Sequence, residues 1–161
     1  MILSMGVLLL WQHASRNAHS AIRTQNALDS LGIAMDGLLT NIELSHTISL
    51  QTNSQNVLRR LYLTGENPAR QPHTYVFTFD PAAPPTSTRY KSLFFGGRHT
   101  YQQQFAYGIE SIHIVNINNQ RLDITITSTC LCRHRCEQVM SCESRVSIAG
   151  SANIMHKHVT N

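Results

Sequence analysis

MILSMGVLLLWQHASRNAHSAIRTQNALDSLGIAMDGLLTNIEL, residues 1–44, reads as one long helix around which the rest of the chain is organised. Its lower half places apolar residues at Leu28, Leu31, Met35, Leu38 and Ile42. Steps of three and four put them on one helix face, a stripe suited to packing on a sheet. Higher up, the same positions are small, Ala14 and Ala21. Asp29, Asp36 and Glu43 recur at heptad spacing as a second, acidic stripe, so one side of the lower half is built for burial. The upper end, Met1 to Trp11, is apolar almost throughout. At about 1.5 Å per residue the element spans roughly 65 Å, more than a small head covers. Part of it must find a partner outside the head.

Beyond Leu44 the helical period fades, and residues 45–161 read as a β-rich head. Ser45 to Asn56 is a polar connection with a short extended piece at Thr47–Leu50. Val57 to Leu63 reads as a strand closed by the turn residues Thr64-Gly65-Glu66-Asn67-Pro68. His73 to Asp80 is aromatic and β-branched, with Tyr75, Phe77 and Phe79 on one face. Pro81 to Thr88 is a loop, because proline cannot donate to a ladder. Tyr90 to Phe95 is a further apolar run, and Ile112 to Ile117 and Leu122 to Ile126 alternate about Asn118-Asn119-Gln120 as a hairpin. With Arg145 to Ile148 as a third piece, the C-terminal half reads as an antiparallel meander. The expected class is α+β, one long N-terminal helix packed on a C-terminal antiparallel sheet.

The 161 residues, 42% of them apolar, suffice for a real core. The net charge of +4 is mild and its Lys and Arg are scattered, with no run beyond Arg59-Arg60, so nucleic-acid binding is not expected. No basic region precedes the apolar start, as a secretory signal requires, and Met1 to Trp11 is about half of a membrane span. Neither a nucleophile elbow nor a zincin motif occurs, and the acids form no recognisable catalytic pair. No enzyme, cofactor or small-molecule substrate is called for.

Cys130, Cys132, Cys136 and Cys142 fall in one segment, 130–142, read as a loop between the second and third strands of the meander. Disulfides would staple such a loop in an extracytoplasmic head; Cys130 with Cys142 and Cys132 with Cys136 is the preferred pairing of the three possible. Zinc is the rival, since Cys132-x3-Cys136 has ligand spacing and His134 lies between, but Cys130-x-Cys132 is too tight for a knuckle. The histidines are dispersed, apart from His156 and His158 in a tail expected to be solvated.

Ile2-Leu3-Ser4-Met5-Gly6-Val7-Leu8-Leu9-Leu10, followed by Gln12, Asn17, Ser20-Ala21, Ala27-Leu28 and Met35-Asp36, resembles the N-terminal helix of type IV pilins and type II secretion pseudopilins, particularly minor ones. The likeness covers roughly the first 45 residues. That family's basic leader, cleavage glycine, methylated phenylalanine and early glutamate have no counterpart here; the resemblance therefore implies a start inside the apolar run of a longer chain. It further implies a non-catalytic filament subunit. Leu3, Val7, Leu8, Leu9 and Leu10 would lie in the bacterial inner membrane before assembly and in the filament core, against other subunits, afterwards. The head would be extracytoplasmic, in a cell-surface or periplasmic filament. A secreted or periplasmic binding module with a disulfide or zinc-held loop, and a DNA-uptake pilin, are the alternative expectations.

Overall fold

A computed structural model describes residues 2–66, 71–118, 121–131, 137–147 and 153–158. Helix α1 (Ile2–Glu43) precedes strands β1 (Thr47–Thr52), β2 (Leu58–Glu66), β3 (Pro72–Phe79), β4 (Ser92–Gly97), β5 (Gln103–Tyr107), β6 (Ile109–Asn116), β7 (Arg121–Leu131), β8 (Glu137–Ser147) and β9 (Asn153–His158). This is the α+β layout expected, with one helix and mostly antiparallel pairing.

The strands form two sheets where the sequence suggested one, and the antiparallel meander expected in the C-terminal half is the smaller of them. One is six-stranded in the order β5-β4-β3-β2-β1-β9, the other three-stranded, β6-β7-β8. They meet where the Ile114 N–H donates to the Asn56 carbonyl and the Ile109 N–H to the Lys91 carbonyl. Alternation along each strand turns Ile48, Leu50, Leu61, Leu63, Phe77 and Phe79 of the large sheet, and Ile112, Ile114, Leu122, Ile124 and Ile126 of the small one, into a shared core. Helix α1 packs on β7, β8 and β5. Its contribution to that core is Leu31, Ala34, Met35, Leu38 and Ile42.

Several local expectations shift. Thr64 to Glu66 continue β2 as far as Pro72 opposite, so the turn residues there extend the ladder. The C-terminal tail, expected to be loose, forms β9 and pairs in parallel with β1, Leu50 opposite His156 and Thr52 opposite His158. The cysteine segment is no long loop either: β7 runs through Cys130 to Leu131, and β8 begins at Glu137 and carries Cys142.

Two helix glycines have opposite consequences. A methyl at Gly37 would sit 2.3 Å from the tip of the Phe105 ring, so this glycine lets β5 approach α1. That ring is held against Phe77 and Phe95, with centroids 5.8 Å away in each case, and has little room to yield. Around Gly32 nothing lies within 4 Å of the added carbon. Gly32→Ala is therefore expected to raise stability by about 0.5–1 kcal/mol through helix propensity. Gly37→Ala is expected to lose about 1–2 kcal/mol despite the same gain, because overpacking outweighs it. Paired denaturant titrations check the sign at each site.

Candidate assembly interface

Helix α1 enters the head at Ser30. Its buried hydroxyl donates to the Tyr107 carbonyl at 2.5 Å and accepts from the Tyr107 N–H at 3.1 Å, tying the helix to the end of β5. From Leu10 to Asp29 no residue with a described side chain is buried. At about 1.5 Å per residue, Leu10 to Asp29 make a projection of roughly 30 Å beyond that tie.

This projection is not uniformly polar. Leu10 is 73% and Trp11 70% exposed, and Ile22 is also exposed. Leu28, expected to pack on the sheet, is 48% exposed, about half a turn above Ser30. At 100° per residue Leu28, Ala21 and Ala14 fall on one line, roughly a quarter-turn round from the Leu31–Leu38 line that faces the core. Leu10 joins that line, and Ala18, Trp11 and Ile22 lie further round on the same flank. The core-facing line itself continues upward as Thr24, Ser20, Asn17 and His13, all polar. So the apolar flank of the projection points away from the side that the head uses.

Leu3, Val7, Leu8 and Leu9 lie on the same helix, but their side chains are outside the described residues. Among the described residues, no helix is long and apolar enough to cross a membrane.

The cysteines divide. Cys132 and Cys136 lie outside the described residues, as does His134, while Cys130 is placed by its backbone on β7. Cys142 is a half-buried free thiol packed against the core opposite Ile126, where it acts as a small apolar side chain. The preferred pairing of Cys130 with Cys142 is thereby overturned. Cys130 faces Gln138 and Cys142 faces Ile126, so the two are offset by four ladder positions, about 13 Å, whereas a disulfide needs Cα atoms within about 7 Å. Among the described residues, no three His, Cys, Asp or Glu side chains converge as a metal site.

Set against protein-family models, curated proteins and solved structures, the chain matches none.

Proposed function

We propose that the chain is a structural, non-catalytic subunit of a type IV pilus or type II secretion filament, a minor pilin or pseudopilin. The observation that carries this reading is the apolar flank of a projecting helix turned away from its own head, together with the pilin-like phrase Ile2 to Leu10. Exposed apolar surface costs about 25 cal/mol per Å2 in water, so a side of helix that the head leaves bare is a surface for another apolar phase.

That phase is first the lipid of the inner membrane and then the helices of neighbouring subunits. Residues 1–11 extend roughly 16 Å, about half the hydrocarbon thickness, which seats Leu10 and Trp11 below the headgroups while the head stays extracytoplasmic. On assembly Leu3, Val7, Leu8, Leu9 and Leu10 pass from lipid to protein without meeting water. The small residues Ala14, Ala18 and Ala21 below them let a second helix approach closely.

Flotation with neutral phosphatidylcholine vesicles tests the proposal, because a neutral surface gives the chain's positive charge nothing to bind. The intact chain is expected to float with the vesicles, and a chain beginning at residue 26 to stay in solution with an unchanged melting temperature. Equal behaviour of the two would refute the helix's role.

A further inference from the structure

The outer face of the six-stranded sheet, turned away from the core, carries a recess that the filament reading does not use. Arg60 on β2 stands opposite Thr78 on β3, which stands opposite Phe94 on β4; the next row is Tyr62, Val76 and Gly96. Because Leu61, Leu63, Phe77 and Phe79 take the core side, these residues take the other. Val76 and Thr78 are buried and form the floor.

The rim is built by two connections. The segment before β4 brings Arg89, whose guanidinium lies 5.4 Å from the centre of the Phe94 ring. The β4–β5 loop folds back over Gly96, where an added Cβ would meet the Tyr101 carbonyl oxygen at 2.8 Å and the Gln102 Cα at 2.9 Å. Only glycine admits the loop that closely, and the loop brings Arg98, His99 and Gln102 to the recess. The recess, open on its outer side, holds about 340 Å3.

Its electrostatics are one-sided. Four other cations of the head are paired: Arg59 with Asp80, Lys91 with Glu110, and Arg121 and Arg145 with Asp123. Among the described residues, Arg60, Arg89 and Arg98 have no carboxylate partner and no acid lines the recess. Arg60 donates instead to the Tyr62 hydroxyl, a long 3.4 Å contact that leaves most of its donors unused. Three guanidinium groups brought to one side of a sheet repel one another. They lose least when an anion sits among them.

We propose that this recess is a binding site for a small phosphate ester, a phosphorylated sugar or mononucleotide, held by Arg60, Arg89 and Arg98 with Tyr62, His99 and Gln102 beside it. A carboxylate is planar and is satisfied by one guanidinium fork, whereas a phosphate offers three oxygens in three directions and suits three forks. The volume falls at the lower end of small-ligand sites and leaves room for a polar group beyond the phosphate. A floor recessed behind two connections suits a compact ligand better than a duplex, which needs its cations on a raised surface. The site stands on the sheet's outer face alone, independently of what the helix does.

Calorimetric titration of the intact chain with inorganic phosphate, adenosine monophosphate and a short DNA duplex, at low and at moderate salt, tests it. Phosphate and the mononucleotide are expected to saturate at one site per chain, the mononucleotide at least about tenfold tighter and both weakened by salt. Arg60→Gln and Arg98→Gln, both at exposed positions, are each expected to weaken binding tenfold or more with the melting temperature unchanged. Arg145→Gln, on the other sheet, should bind as the parent does. Absence of saturable binding at low salt, or retention of full affinity by both recess variants, would overturn the proposal. So would duplex binding that the mononucleotide does not compete, which would mark the arginines as a polymer-backbone surface.

Discussion

Leu38→Ala is expected to destabilise the head by about 3–5 kcal/mol, while Leu28→Ala, ten residues earlier in the same sequence stripe, is expected to cost less than about 1 kcal/mol. Leu38 is completely buried among core residues of both sheets, so truncation there removes apolar contacts and leaves a cavity that the surrounding strands cannot fill. Leu28 is about half exposed and leaves no cavity. A small domain is stable by only about 5–15 kcal/mol, so the Leu38 change removes a large part of the whole. Urea unfolding of both variants, with the slope unchanged and the midpoint moved in only one, is the check. A similar loss at Leu28 would mean that the head reaches further up the helix than described.

The second large effect concerns binding to neutral lipid. Leu10→Glu is expected to weaken vesicle binding of the intact chain by about tenfold or more, since it removes a lipid-buried leucine worth about 1.5–3 kcal/mol and adds a carboxylate at the hydrocarbon edge, and every 1.4 kcal/mol is a factor of ten. Arg16→Gln, on the opposite flank of the same projection, is expected to change binding by less than about threefold, because that side stays in water. Neither substitution should move the melting temperature, as both residues are exposed and lie well above Ser30, which ties the helix to β5. Equal losses from the two changes would remove the distinction between flanks.

Much of the fold was legible in the order of residues, for physical reasons that also explain what was missed. The three-and-four spacing from Leu28 to Ile42 identifies a face, and the face is right for Leu31, Met35, Leu38 and Ile42. Spacing says nothing of how far up a helix a head reaches, and so Leu28 was placed in the core. Strands β2, β3, β6 and β7 announced themselves by alternation or aromatic content. Strand β9 did not, because Asn153-Ile-Met-His-Lys-His158 has little β-branched material and is held by a parallel partner about a hundred residues away. The cysteines drew attention as loop staples and hid the continuation of β7 and β8 through Cys130 and Cys142, although the alternating Thr125, Thr127 and Thr129 pointed that way.

The arginine recess was beyond reach for a different cause. Arg60, Arg89 and Arg98 are scattered in the chain and look like an ordinary dispersed surface charge. Only the β2-β3-β4 register and the close seat of the loop on Gly96 bring them to one place. The one hint in the sequence was the glycine pair Gly96-Gly97 next to Arg98-His99, which marks a close backbone approach as readily as a turn.

Trp11, the sole tryptophan of the chain, stands on the apolar flank at 70% exposure and reports directly on whether that flank leaves water. When neutral phosphatidylcholine vesicles are added to the intact protein, its fluorescence emission should move to shorter wavelength and become shielded from an aqueous quencher, with Leu10→Glu showing neither change. Emission that stays at the water-exposed wavelength, fully open to quencher at every lipid concentration, would contradict the assignment of the helix to lipid and to neighbouring subunits.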